Sequence, residues 1–232
     1  MRGTDVTTNE SFFLPLLAAI EKITDFISAR NTSEEREMGM IRISIPEFDP
    51  RAVREAVVNA FVHRDYTQLG RVLVKLDADG LSVSNPGGFI EGVTYQNILT
   101  VEPHGRNPVL ADALKRIGLA ERSGRGVDRI FEGSLLYGRD VPDYSESTSR
   151  TVKLFIPRGV PDKRLVALIS EEQKRTGSPL PLNSLLVLNV LKNNHRMSLA
   201  DMSHECAIPE SKLKTTLERL TESGLIDAMG SG

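Results

Sequence analysis

A single cysteine, Cys206, stands in 232 residues, so neither an internal disulfide framework nor a cysteine-built zinc site can form. Long apolar runs are missing too. The longest, Phe12 to Ile20, is interrupted by Pro15 and followed by Glu21 and Lys22. That falls well short of the roughly 20 residues that span a bilayer. The run also lacks the basic start and small-residue cleavage site of a secretory signal, so the cytoplasm is the expected compartment and no membrane partner is expected. Excess basic charge is absent: 29 Lys and Arg against 31 Asp and Glu give a net charge of −2. A protein that coats nucleic acid by charge alone would be strongly basic, so any such contact must come from a local surface. Repeats and low-complexity tracts are absent as well. What remains, 40% apolar and 26% charged residues, is ordinary globular composition. The length suits one domain with a full core plus a smaller second unit.

Residues 12–29 read as an amphipathic helix, with Leu16, Leu17, Ile20, Ile23, Phe26 and Ile27 recurring at three and four. Asn31 to Glu37 is polar and loop-like, and Met40 to Ile45 alternates as a short strand would. Asp49-Pro50 opens a helix that runs to about His63, an N-cap residue followed by proline in the first turn. A hairpin is expected next: Arg71 to Asp77, a turn at Asp79-Gly80, then Leu81 to Ser84. Residues 85–106 read as a mobile loop. Asn107-Pro108 caps a helix that stops at Gly118, and a Ser123–Gly126 turn opens another to about Tyr137. Thr151 to Ile156 is a last strand. Prolines and glycines across 157–181 surround a short helical piece, Lys163 to Lys174, and mark a linker.

The helix from Asp49 carries the most chemistry. Val53, Val57, Ala60 and Phe61 share one side, while Glu55 and Asn59, one turn apart, share another that continues to Val62 and His63. A carboxylate there could orient or deprotonate water while the amide oxygen ligates a hard cation such as Mg²⁺. The same pair also suits a solvated helix face. Order along the chain adds to it. Ser84-Asn85-Pro86-Gly87-Gly88 runs a strand into a glycine pair, where backbone N–H groups can approach a ligand. Gly124-Arg125-Gly126 stands at a helix start, which favours phosphate.

The order Glu55-x-x-x-Asn59, Asn85-Pro86-Gly87-Gly88, Arg106-Asn107-Pro108 and Gly124-Arg125-Gly126 resembles the GHKL, or Bergerat-fold, ATPases. It is more closely similar to the "RecG-like C-terminal" domains of bacterial transcriptional regulators. There Arg54-Glu55-Ala56, Asn59-Ala60, His63-Arg64-Asp65-Tyr66 and Glu121-Arg122 recur with the other phrases. The resemblance covers roughly residues 10–158. It implies an α+β fold, a two-layer α/β sandwich with a mixed, mainly antiparallel sheet and nucleotide held between helix and loop. By position, Glu55 would be the general base and Asn59 the Mg²⁺ ligand. Asn85 stands where the wider superfamily has an aspartate that reads the adenine amine, and an amide can still accept from N6. Gly87 and Gly88 would lie close to ATP, Gly124 and Gly126 would close on its phosphates, and 89–106 would form the lid. Arg106, Asn107, Arg122 and Arg125 complete the expected nucleotide positions. A solvated charged face is the other reading of Arg122, Arg125 and Arg129.

Other chemistries lack their residues. His63-Arg64-Asp65 imitates a kinase catalytic loop, but Gly70 stands where its asparagine belongs and no Asp-Phe-Gly follows. No Gly-x-x-x-x-Gly-Lys-Ser/Thr exists for a P-loop, and the four histidines show no zinc spacing.

After the linker, residues 183–232 contain three helical patterns in close order. Ser184 to Leu191 forms the first, Ser198 to about Ala207 the second, and Pro209 opens the third. On that third helix Leu213, Leu217 and Leu220 would be buried, with Lys212, Lys214, Thr215, Thr216 and Arg219 available outside. Gly224 ends it and Leu225-Ile226 would begin a wing strand. The segment resembles winged-helix DNA-binding modules; a helical module for dimerisation is the other reading. The expected organisation is therefore a nucleotide-binding domain at 1–160, a linker at 161–182 and a small, mostly helical winged-helix segment at 183–232 with a truncated wing. The start at Met1-Arg2-Gly3-Thr4-Asp5 reads as a junction within a longer protein. The function this implies is an ATP-binding, Mg²⁺-dependent bacterial regulator, with hydrolysis left open, that controls DNA contact as a homodimer. The alternative is a non-enzymatic DNA-binding or oligomerisation protein that has kept the sandwich and lost the nucleotide.

Overall fold

The computed structural model describes residues 8–38, 41–102, 104–121, 124–194 and 196–228. The readings made at Met1–Asp5, Met40 and Arg122 lie outside them. Helix α1 spans Leu16–Ser28 and starts only after Pro15. The polar stretch expected to be a loop is instead a strand, β1 (Ser33–Met38), paired antiparallel with β2 (Ile41–Pro46). Its alternation is invisible in sequence because four of its six residues are charged; pairing with the alternating β2 supplies what its own pattern lacks.

Helix α2 (Pro50–Val62) begins as expected. The Asp49 carboxylate accepts from the amides of Arg51 at 2.7 Å and Ala52 at 3.1 Å, and Pro50 occupies the first turn. The helix is buried on almost every side: Ala52, Val53, Glu55, Ala56, Val57, Val58, Ala60 and Val62 all lie inside. Helices α1 and α4 (Gly126–Leu135) and strand β4 (Gly80–Pro86) pack around it. A solvated face for Glu55 is thereby overturned.

Strands β3 (Leu73–Leu76), β4 and β5 (Thr151–Pro157) form a three-stranded antiparallel sheet in the order β3-β4-β5. The hairpin turn falls one residue before the expected Asp79-Gly80. Asp77 and Gly80 already pair, so Ala78 and Asp79 make the turn, with the Asp77 carboxylate accepting from the amides of Asp79 and Gly80. Along β4, Leu81, Val83 and Asn85 point to one face, opposite Ile156, Leu154 and Val152 of β5. An apolar row thus ends in one buried amide. The helices cover this face, which makes the sandwich. The named strands form two separate antiparallel sheets; the one parallel pairing among the described residues is the isolated bridge between Gly87 and Thr151.

Helix α3 spans Pro108–Arg116. The stretch expected as linker contains α5 (Lys163–Thr176), capped by the Asp162 carboxylate and closed by Gly177. Its Leu165, Val166 and Ile169 are buried. Helix α6 (Leu182–Asn193) is apolar nearly all round, with Leu185, Leu186, Val187 and Leu188 buried. Such a helix must be covered on several sides, and α4, α5, α7 (Leu199–Cys206) and α8 (Glu210–Glu222) cover it. Leu225 and Ile226 form no strand, so no wing is seen among the described residues. No helix among the described residues is long and apolar enough to cross a membrane.

Candidate functional site

Glycine sets the distance between α2 and α4. A Cβ on Gly126 would stand 2.7 Å from a Glu55 carboxylate oxygen and 3.5 Å from the Asn59 amide nitrogen. Seven residues on, a Cβ on Gly133 would stand 2.6 Å from the Ala52 side chain and 2.9 Å from that of Asp49. The two glycines share one helix face and let α4 lie directly on α2. Gly126, expected from the sequence to meet phosphate, thus has a helix-packing role of its own.

Between α2, the end of β4, the loop from 88 to 105 and the start of α4 lies a cavity of about 240 Å³. Ligand clefts usually begin near roughly 300 Å³, so this one is small for a whole nucleotide. Glu55, Asn59, Asn85, Gly88, Gly124 and Gly126 all line it. Six of the positions singled out in sequence thus converge on one volume. Its wall is apolar, with Val83, Phe89, Ile98, Leu99 and Leu154 among its residues, and Phe89 meets Tyr144 in a tilted ring pair at 6.1 Å. His63 lines it too.

Glu55 is only 5% exposed. Burial pushes its carboxyl above the usual range, while Arg129, a backbone hydrogen bond from Glu121 and Arg54 pull the other way. Arg129 in turn pairs with Glu121. The backbone at Glu121 is thus in contact with the Glu55 carboxylate. The imidazole of His63 is pushed down, first by burial and then by Arg106, so it is neutral near pH 7 and able to accept or donate one hydrogen bond. Among the described residues no three His, Cys, Asp or Glu side chains cluster to hold a metal. A Mg²⁺ would therefore rest on the Asn59 oxygen, water and ligand phosphate, which suits a cation that takes few protein ligands.

Four expected nucleotide positions do not line the cavity. Arg106 donates to the Gly88 carbonyl at 2.9 Å and lies 3.6 Å from the Asp65 carboxylate. Asn107 donates to the carbonyls of Val62 at 2.7 Å and Arg64 at 2.8 Å, closing the end of α2. Gly87 sits at φ 95°, and a Cβ there would lie 2.7 Å from that of Asp65. The Asp65 amide also donates to Pro86 O at 2.8 Å. Asp65, Gly87, Arg106 and Asn107 are therefore one knot, tying the end of α2 to the end of β4 and to the foot of the loop. Arg125 is turned away, pairing with Asp128 at 3.1 Å and Glu132 at 3.0 Å. Of the residues missed in sequence, Lys115 on α3 also lines the cavity. Its place in an ordinary basic helix end gave no signal.

On α8, Lys212, Lys214 and Thr215 are exposed as expected. Thr216 is not: at 4% exposure it joins Leu213 and Leu220 on the buried stripe, and its hydroxyl donates to the Lys212 carbonyl. The spacing 213, 216, 220 is that of one helix face. Arg219 is exposed as expected, and its guanidinium also donates to the Ser184 hydroxyl at 2.9 Å.

Residues 70–155 match the family model described as "Putative ATP-dependent DNA helicase recG C-terminal". The fold resembles the crystal structure of a protein from Corynebacterium diphtheriae, with a TM-score of 0.73 and 25% sequence identity. That match covers 88% of this chain and 41% of the other, so the chain spans about two fifths of that protein's length. No curated protein matches the sequence.

Proposed function

We propose that the cavity beside Glu55 binds ATP with Mg²⁺ and that its occupancy governs the C-terminal helices, whose α8 contacts DNA. The observation that carries the nucleotide reading is the convergence of Glu55, Asn59, Asn85, Gly88, Gly124 and Gly126 on one volume. The family match over 70–155, with its ATPase description, supports it.

Each residue has a task in this reading. The apolar wall takes the base, and Asn85, at the end of the Leu81-Val83 row, presents its amide to the base edge. Gly124 and Gly126 bring the start of α4, with its free N–H groups, to the phosphates, and Lys115 adds counter-charge. Asn59 holds the metal, which neutralises phosphate charge when bound. Glu55, whose burial raises its carboxyl above the usual range, takes a proton from water in its ionised form. Because the cavity is small and the Glu121 backbone is hydrogen-bonded to Glu55, the chain at Glu121 and the loop after β4 must part to admit the ligand. Exposed Lys212, Lys214 and Thr215 supply the DNA contact, mostly to phosphate.

Isothermal titration of ATP with Mg²⁺ into the chain tests the reading, repeated with Asn59→Ala. Micromolar to sub-millimolar binding that the variant loses supports it. A second reading, a scaffold without nucleotide, is favoured by two observations: Arg106 and Arg125 are tied to carboxylates elsewhere, and Glu55 is already engaged. Absence of heat at millimolar ATP would select it.

A further inference from the structure

Strand β3 stands at the open edge of its sheet: among the described residues it pairs with β4 alone. The Asp77 amide donates to the Gly80 carbonyl, and the register sets Lys75 opposite Ser82 and Leu73 opposite Ser84. These odd-numbered residues therefore turn their backbone groups toward β4, and Val72, Val74 and Leu76 turn theirs outward. A row of outward N–H and C=O groups is a template for a further strand. No proline interrupts 71–77. The side chains of Val72, Val74 and Leu76 lie half-buried against the core, while Arg71, Leu73 and Lys75 are exposed on the other face. Leu73 is 59% exposed, an apolar side chain that a neighbouring strand would cover.

The order of charges along this edge fits the strand to its own copy. Two copies running antiparallel and centred on Val74 pair all three outward residues: Val74 meets Val74, and Val72 meets Leu76 in both directions. On the exposed face Arg71 then stands opposite Asp77, and Leu73 opposite Lys75. Sliding one copy by two residues keeps the backbone in phase but changes the charges. One slip sets Lys75 against Lys75, and the other sets Arg71 against Lys75. Like charges directly opposite each other are unfavourable, so the centred register is the one of the three without such a pair along 71–77. Asp77 also pairs with Lys75 of its own strand at 2.6 Å, and Arg71 donates to the Ser11 hydroxyl at 2.8 Å. The register rests on the signs that face each other across the strands, not on a charge left over.

We propose that β3 is a self-association edge, where a second copy of this chain adds its own β3 antiparallel about Val74. The two sheets become one of six strands, and because paired residues share a face, the helices of both copies lie on the same side. A lysine on an edge commonly discourages pairing. Here the Lys75 stem lies along Leu73 of the other copy, and its charge rejects the two slipped registers. The contact is short, so the dimer is weak and dissociates on dilution. It depends on no nucleotide.

Sedimentation velocity of the chain from micromolar to millimolar concentration tests the proposal. A reversible monomer–dimer equilibrium supports it, and a monomer throughout overturns it. Arg71→Glu, at an exposed position, sets like charges opposite each other twice in the dimer and is expected to weaken association about tenfold. Unchanged association, in a variant whose circular dichroism matches the parent, overturns the interface. The register is read independently. Leu73→Cys and Lys75→Cys, both at exposed positions, are mixed and mildly oxidised; the native Cys206 is buried. Disulfides joining one variant to the other support the centred register, and a predominance of disulfides within either variant overturns it.

Discussion

Glu55 is a buried carboxyl whose charged form is held up mainly by Arg129 and the Glu121 amide. Because its folded value is raised, the protonated form is the one folding prefers. Its contribution is full below the ordinary carboxylate range and is lost as pH rises through the raised value. Glu55→Gln is therefore expected to raise the Tm near pH 7, to spare ATP binding and to abolish any hydrolysis; thermal melts and a phosphate-release assay check this, and an unchanged or lower Tm contradicts it. His63 has the opposite sense. Its lowered value means stability is full above about pH 6.5 and falls as pH drops through that range, and His63→Gln should remove that part of the acid limb in melts taken from pH 7 to 5. The Asp65–Arg106 contact should show coupling. In an Asp65→Asn, Arg106→Gln double-mutant cycle, stability losses are expected to be non-additive, whereas additive losses would separate the two residues. What was legible at this scale follows from reach. Short groups such as Asn59, Asn85 and Gly124 stay where the backbone puts them, so their spacing in sequence located them. Long side chains go to their tertiary partners. Arg106 and Arg125, read as nucleotide positions, reach the Gly88 carbonyl and Glu132.

Elements were legible where their own signals were strong. Asp49-Pro50 fixed the start of α2, and three-and-four spacing marked α1. The charged β1 had no such signal, and the turn before Gly80 slipped by one residue because Gly80 is there for space: a Cβ would meet the Phe155 ring at 2.7 Å. Thr216 was misplaced because a threonine on a basic helix looks polar, while the 213–216–220 spacing puts it inside. The α2–α4 seam depends on Gly126 and Gly133. Gly133→Ala is expected to destabilise by about 1–3 kcal/mol, the usual cost of overpacking, as read by urea unfolding. A neutral result would mean the helices can part freely, and the short α2–α4 distance would lose its significance.

Across the whole molecule, α4 touches α2 on one side and α6 on the other, and buried residues run without a gap from Leu81 to Leu220. Leu81 and Leu185 are both nearly fully buried. Leu81→Ala and Leu185→Ala should each cost about 2–5 kcal/mol and lower one shared unfolding transition. Two separated transitions would show that the C-terminal helices unfold alone, and coupling through α4 would then lose its basis. The central claim, that the Glu55 cavity is the nucleotide site, is tested most directly by following backbone amide shifts as ATP with Mg²⁺ is added to the isotope-labelled chain. The account expects the largest changes at Asn59, Asn85, Gly88, Gly124 and Gly126, with small ones on α8. Shifts clustered elsewhere, or none at millimolar ATP, would contradict it.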